Sequence, residues 1–278
     1  MTWWAIDVRT APEARERLGA WLVERTGQAV EERDDGILVA FTPDERAADE
    51  LIAEIGNAEE GARPQTSRRK VEPVDWSTRW RDGLGSRSFG RLIVSPSWGQ
   101  APVDSRRPLV VLDPESAFGS GEHGSTRVAL SLLERLVRPG DLVLDLGSGS
   151  GILALAAVKL GAARAVGIDN DPEANIVAAR NATRNAVEHS VEFLDGEAGD
   201  LAPLLGPADL VLSNILRSAN TELLPAIAIA LRPGGTAILS GMETAEAPLF
   251  LPALESGGFS VVEARNDTGW WGVAARRK

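Results

Sequence analysis

Glycine and serine alternate over residues 147–151, directly after an aspartate and a leucine, in the stretch DLGSGSG of residues 145–151. The apolar run DLVLDL leads into this stretch and predicts a buried strand, and GILALAAVKLG follows and predicts a helix. A strand that passes into a helix through glycines lets a ligand approach the backbone closely, because no Cβ stands in the way. The alternative interpretation is a tight turn that binds nothing.

The spacing of the glycines distinguishes between cofactors. A dinucleotide-binding loop requires the pattern G-x-G-x-x-G. Here Gly147, Gly149 and Gly151 form G-x-G-x-G, and Ile152 stands where the last glycine of the dinucleotide pattern belongs. The spacing therefore disfavours an oxidoreductase that uses NAD or FAD.

An acidic residue ends the next predicted strand. Asp169 closes the run ARAVGID, about 20 residues after the glycine loop, where a carboxylate can accept hydrogen bonds from both ribose hydroxyls. Taken alone, Asp169 is equally consistent with a helix cap, and Asp171 before Pro172 is expected to be one. The combination of this carboxylate with the glycine loop favours a nucleoside site.

A third polar residue follows another apolar strand. ADLVLSN ends at Asn214, at the sheet edge where doubly wound folds place their chemistry. An asparagine there offers a carbonyl acceptor and an amide donor. The alternative is that Asn214 only caps the following helix.

A glycine-rich loop, LDPESAFGSGEHGSTR, carries Phe118, Ser120, Glu122 and His123 and leads into a helix that begins near Ser125. We expect this loop to form a lid or a second wall of the pocket. His123 has no partner at metal-ligand spacing, so no metal site is predicted.

The elements that must position these residues alternate along the chain. Segments typical of strands and helices predict a mostly parallel sheet with helices on both faces. They occupy residues 141–146, 151–161, 163–168, 172–187, 190–194, 208–213, 217–231, 235–240, 246–257, 258–265 and 270–276.

A smaller domain is predicted in front. A strand over 3–8, a helix over 11–26, a hairpin across DDG, a helix over 44–55 and a strand over 67–74 form the ferredoxin-like order β-α-β-β-α-β. We expect domains over residues 1–73 and 89–278, joined by a linker over 74–88.

Composition limits the possible partners and locations. The chain has no cysteine, and its formal net charge of −11 disfavours a broad electrostatic grip on nucleic acid. Residues 1–73 hold 16 acidic and 10 basic side chains, which favours a basic partner protein. No apolar run is long enough for a membrane helix and no signal-peptide pattern begins the chain, so a cytoplasmic protein is expected.

Several motifs together resemble a known family. LDLGSGSG, GIDNDPEA and SNIL resemble the nucleotide, ribose and post-strand motifs of class I S-adenosylmethionine-dependent methyltransferases. With WSTRWRDGL, FGRLIVSPSW, LDPESAFGSGEHGSTR and RPGGTAILSGM, they follow in order the pattern of the bacterial ribosomal protein L11 methyltransferase family. The resemblance extends over nearly the whole chain, although the front domain matches in pattern only.

The resemblance implies a fold, a cofactor and an activity. A Rossmann-like class I methyltransferase domain with a seven-stranded, mostly parallel sheet would follow the ferredoxin-like α+β domain, which would recruit the substrate. The enzyme would methylate amino groups of ribosomal protein L11, on lysine side chains or the N-terminal amine, as a monomer and with no direct nucleic-acid contact.

The resemblance also assigns roles to residues. Thr126, Gly147, Asp169 and Asn214 match the cofactor-contacting positions of the family, and Phe118 and Gly149 are also predicted to contact S-adenosylmethionine. From its position after the strand, Asn214 is also predicted to orient the acceptor amine.

Two departures from the family pattern bear on the identity of the methyl acceptor. The family loop usually has threonines and a proline around the histidine, where this chain has Ser120, Gly124 and Ser125; Arg217 and Ser218 replace small residues after Asn-Ile-Leu. The alternatives left open are a methyltransferase for another protein lysine or a small amine, and a scaffold that binds the cofactor without turnover.

Overall fold

The structure is a computed structural model, and its chain divides into two compact units, Met1–Arg79 and Trp80–Lys278. It describes residues 3–11, 14–26, 30–32, 36–58, 64–70, 85–99, 106–113, 119 and 121–278. Most of the predicted linker over 74–88 lies outside the described residues. The predicted domain boundaries therefore stay predictions.

The described residues of the first unit have the predicted ferredoxin-like order β-α-β-β-α-β. The elements are β1 Trp4–Arg9, α1 Arg15–Thr26, β2 Glu31–Glu32, β3 Leu38–Thr42, α2 Glu45–Ala58 and β4 Gln65–Lys70. Their antiparallel sheet has the strand order β2-β3-β1-β4.

Apolar side chains on one face of this sheet form the core of the first unit. Ile6 and Val8, two residues apart on β1, point to the same face. They belong to one buried cluster with Leu22 of α1 and Ile55 of α2. Asp44 caps the start of α2, because its side chain accepts a hydrogen bond of 2.8 Å from the Ala47 amide.

The described residues of the second unit form two sheets. A small sheet consists of β5 Arg87–Phe89, β6 Leu92–Ser95 and β7 Leu109–Val111. The larger fold follows with α3 Gly124–Leu136, β8 Leu142–Leu146, α4 Ile152–Lys159, β9 Arg164–Asp169, α5 Pro172–Arg184, β10 Val191–Asp195, α6 Ala198–Leu205, β11 Ala208–Asn214, α7 Arg217–Ala230, β12 Leu231–Glu243, α8 Ala247–Ser256, β13 Phe259–Asp267 and β14 Trp270–Arg277.

The seven strands of the larger sheet have the order β10-β9-β8-β11-β12-β14-β13. Neighbours from β10 to β12 are parallel, and β14 is antiparallel to both β12 and β13. This confirms the predicted mostly parallel, Rossmann-like sheet. The chain order reverses between β8 and β11, so that a crevice opens beyond the carboxyl ends of these strands.

Helices cover both faces of this sheet. Val143 belongs to the buried cluster on one face, whereas its neighbour Leu144 belongs to the cluster on the other face. Burial on both faces accounts for the nearly continuous apolar runs of the central strands. Helix α6 was not predicted, because Gly196, Gly199 and Pro203 are residues typical of a loop.

One carboxylate interrupts the apolar strand β8. Asp145 is buried, and one of its oxygens accepts a hydrogen bond of 3.0 Å from the Ala154 amide in the first turn of α4. The other oxygen has no hydrogen-bond partner among the described residues. Burial, with a smaller contribution from the charge of Asp169, raises the pKa of Asp145 to about 7.

This raised pKa predicts a pH-dependent stability. Between about pH 4 and about pH 7 the folded chain holds a proton on Asp145 that the unfolded chain has lost, so stability falls as pH rises. Asp145→Asn removes this titration. We expect the free energy of unfolding of the variant, relative to the parent, to rise by up to about 1.4 kcal/mol per pH unit and to level off above about pH 7.

Denaturant unfolding without cofactor, from about pH 5 to about pH 8, measures this difference. The matched control is Asp200→Asn, which makes the same substitution at an exposed carboxylate. A constant difference for Asp145→Asn would contradict the prediction.

Candidate active site

The glycine turn after β8 forms the floor of the crevice. Gly147 and Gly149 have φ angles of 71° and 52°, in the left-handed region that glycine adopts without strain. The Gly147 amide donates a hydrogen bond of 2.8 Å to the Ile168 carbonyl on β9. A Cβ on Gly147 would lie 2.6 Å from the Ile215 side chain, so this position requires glycine.

Asp169 lies at the tip of β9, beside this turn. One carboxylate oxygen accepts a hydrogen bond of 2.8 Å from the Gly149 amide, and the other accepts one of 3.0 Å from the Asp171 amide. Each oxygen keeps a further lone pair for a ligand hydroxyl. Asp171 accepts a hydrogen bond from the Glu173 amide at the start of α5, which confirms the predicted cap.

Asn214 ends β11 on the other side of the turn. Its amide nitrogen donates to the Thr126 hydroxyl over 3.2 Å, and its carbonyl oxygen has no hydrogen-bond partner among the described residues. The following segment is held by Asn220, whose amide donates to the carbonyls of Ile215 and Ser240 over 3.0 and 2.9 Å. The Asn214 carbonyl oxygen is therefore an oriented hydrogen-bond acceptor at the end of β11.

His123 and Trp270 form an aromatic wall. Their ring centroids are 4.2 Å apart at an interplanar angle of 58°. His123 Nδ1 lies 2.7 Å from the Ser125 hydroxyl. Burial and the charge of Arg127 lower the pKa of His123, so its imidazole is mainly neutral at pH 7.

Two adjoining cavities occupy the crevice. One of about 480 Å³ is lined by His123, Ser125, Gly147, Gly149, Asp169, Asn170, Asn214, Ile215, Leu216, Gly241 and Trp270. The other, of about 340 Å³, is lined by Gly147, Ile168, Asp169, Asn170, Gly196, Glu197, Ala198, Ile215, Leu216, Ala219, Glu222 and Leu223. Because five residues line both, the cavities meet at the glycine turn and Asp169.

The structure brings together four of the residues predicted to bind the cofactor: Gly147, Gly149, Asp169 and Asn214. Thr126 is buried and holds Asn214 by a hydrogen bond, and its direct contact with a cofactor stays a prediction. Phe118 lies outside the described residues, and the role predicted for it stays a prediction.

Sequence reasoning missed Ser125, Asn170, Gly241 and Trp270 as part of the cavity wall. Trp270 had one available signal, its position at the start of the last strand. That strand reaches the site only because it is antiparallel to β12, a direction that the alternating pattern does not specify.

Three of the residues that depart from the family pattern have structural partners. Ser125 contacts His123, and Gly124 lies against Trp270, where a Cβ would come within 2.4 Å of the indole. Arg217 pairs with Glu246 over 3.1 Å. Ser120 lies outside the described residues.

The site fits S-adenosylmethionine. The Asp169 carboxylate can receive the ribose hydroxyls, because each oxygen keeps a lone pair beside its hydrogen bond to a backbone amide. The described residues contain no group of three or more His, Cys, Asp or Glu that could hold a metal ion.

Among the helices described, none is long and apolar enough to cross a membrane.

Comparison with known proteins gives consistent matches. A family model described as "Ribosomal protein L11 methyltransferase (PrmA)" matches residues 2–278. A ribosomal protein L11 methyltransferase of Pelotomaculum thermopropionicum is 40% identical over 88% of this chain and 80% of its own. One of Deinococcus radiodurans is 34% identical over 93% of this chain and 92% of its own.

A solved structure extends the similarity to the fold. The crystal structure of a ribosomal protein L11 methylase from Lactobacillus delbrueckii subsp. bulgaricus superposes with a TM-score of 0.64 at 31% identity, and covers 70% of this chain and 99% of its own. Because the family model matches nearly every residue and relatives above 30% identity cover most of the chain, the protein belongs to the ribosomal protein L11 methyltransferase (PrmA) family.

Proposed function

We propose that this protein transfers the methyl group of S-adenosylmethionine to amino groups of ribosomal protein L11, on lysine side chains or the N-terminal amine. The observation that carries the proposal is the Asn214 carbonyl oxygen, which has no hydrogen-bond partner among the described residues and belongs to a side chain lining the same cavity as Asp169. Family membership supports the same activity.

The cofactor would be held from two sides. Asp169 would accept hydrogen bonds from the ribose, while the positive end of the α4 helix dipole favours a carboxylate. When bound, S-adenosylmethionine supplies an electrophilic methyl group for in-line displacement by the acceptor nitrogen. The leaving thioether is neutral and requires no acid.

The protonation of the acceptor amine is the larger energetic difficulty of the reaction. A lysine amine with a pKa near 10.4 is only about 0.04% neutral at pH 7, a deficit of about 4.6 kcal/mol. Ile215, Leu216 and Trp270 give the cavity apolar walls, which lower the pKa of an ammonium by removing water. Asn214 would accept one N–H of the amine and so align the nitrogen with the methyl group, and no dedicated general base is required.

The front domain would recruit the substrate. Residues 1–73 contribute −6 to the net charge of −11, and ribosomal proteins are generally basic. Complementary charge accelerates encounter between proteins. The domain therefore supplies attraction, and the second unit supplies the chemistry.

Loss of the Asp169 carboxylate should weaken cofactor binding. We expect Asp169→Ala to cost about 1.5–3 kcal/mol of binding free energy, because charge-assisted hydrogen bonds to the ribose are lost. Calorimetric titration with S-adenosylmethionine measures this change, and Asp200→Ala is the control at an exposed carboxylate. Unchanged affinity in Asp169→Ala would show that the ribose binds elsewhere.

Loss of the Asn214 amide should affect turnover more than binding. We expect Asn214→Ala to lower kcat about 100-fold through misalignment of the acceptor, with less than about a threefold change in cofactor Kd. Thr126→Val, which removes only the hydroxyl that holds Asn214, should lower kcat by a smaller factor. Equal losses of kcat and affinity in Asn214→Ala would mean that this residue only builds the cofactor site.

Removal of residues 1–73 should separate recruitment from cofactor binding. We expect the shortened protein to bind S-adenosylmethionine with the parent affinity and to lose methylation of ribosomal protein L11, because the acidic recruiting surface is gone. Calorimetry and transfer of labelled methyl groups measure the two properties. Normal methylation by the shortened protein would place recruitment in the second unit.

A further inference from the structure

Trp270 occupies a position that the cofactor site does not require. It is the first residue of β14 and pairs with Glu243 at the end of β12. Because the two strands are antiparallel, β14 begins at the sheet edge where β12 ends. The indole therefore lines the same cavity as Asn214, whose carbonyl would orient the acceptor.

The indole is held in place by the start of α3. A Cβ on Gly124 would lie 2.4 Å from Trp270 Cδ1 and 3.0 Å from the Asp267 carbonyl, so glycine allows this close packing. Arg127 donates to the Asp267 carboxylate over 2.6 Å and to the Thr268 hydroxyl over 2.8 Å. These contacts fix the turn that precedes Trp270.

The surroundings of the indole favour a cation with an apolar surface. No lysine or arginine is among the described residues that line this cavity, and Asp169 supplies a negative charge. His123, whose ring lies against the indole at a tilt, is mainly neutral at pH 7 and does not repel a cation. An aromatic face attracts ammonium groups, and it suits methylated ones because their methyl groups are less strongly hydrated.

We propose that Trp270, backed by His123, is the surface that binds the acceptor amine after it has received its first methyl group, and so favours repeated methylation of one amine. This inference rests on the proposed function. In each further transfer the ammonium first loses a proton to water. The nitrogen then forms a bond to the methyl carbon, the bond from that carbon to sulfur breaks, and S-adenosylhomocysteine leaves.

Mass spectrometry of ribosomal protein L11 during the reaction tests the inference. We expect Trp270→Leu to slow formation of the dimethylated and trimethylated products at least about fivefold more than it slows formation of the monomethylated product. Trp270→Phe keeps an aromatic face and should retain most of the later steps. Trp98→Leu, which alters a tryptophan that does not line the cavity, is the control.

Gly124→Ala provides a second variant that keeps the indole but displaces it. Its added methyl group would overlap Trp270, so we expect the same selective loss of the later steps as in Trp270→Leu. An equal loss at every methylation state, or an unchanged distribution of products in Trp270→Leu, would overturn the inference.

A binding measurement distinguishes this inference from failure of the proposed function. The indole N–H resonance of Trp270, assigned by its loss in Trp270→Leu, should shift saturably on titration with tetramethylammonium chloride and not with ammonium chloride. Absence of that shift would overturn the aromatic site. A saturable shift in a protein that leaves ribosomal protein L11 unmethylated would instead contradict the proposed substrate.

Discussion

The hydrogen bond from the Gly149 amide to the Asp169 carboxylate, 2.8 Å long, joins the two elements on which the site depends. It connects the glycine turn after β8 to the tip of β9, two parallel neighbours whose carboxyl ends meet at one sheet edge. The contact is possible because Gly147 and Gly149 adopt left-handed backbone angles that bring the turn toward β9. The bond orients the carboxylate while leaving lone pairs for a ligand.

The acceptor half of the site depends on contacts between elements distant in sequence. Asn214 is held by Thr126 from α3, and the segment after it is tied to β12 by Asn220. The Ser240 hydroxyl in turn donates to the Ser125 carbonyl over 2.8 Å, which links β12 to the start of α3. The orientation of the Asn214 carbonyl is therefore a property of three packed elements, and buried hydrogen bonds of this kind are costly to break.

The sequence allowed most of the larger sheet to be predicted, because strands buried on both faces must be apolar throughout and helices must alternate with them. Helix α6 escaped prediction because its one glycine and its proline, with Gly196 just before it, are typical of loops, whereas contacts with α7 and the sheet stabilise it in the folded chain. Strand β12 begins at Leu231, four residues before the predicted start, because Leu231 pairs with Ala208 of β11.

The sequence by itself determined the glycine turn, the carboxylate of Asp169, the amide of Asn214 and the doubly wound order that places them at one edge. These features follow from local backbone requirements and from the two periodicities of strand and helix. Only the tertiary structure decided that Trp270 completes the cavity, because β14 runs antiparallel to β12. It also decided the raised pKa of Asp145, because packing on both faces of β8 excludes water. Strand direction and solvent exclusion depend on contacts between distant segments, and no short stretch of sequence records them.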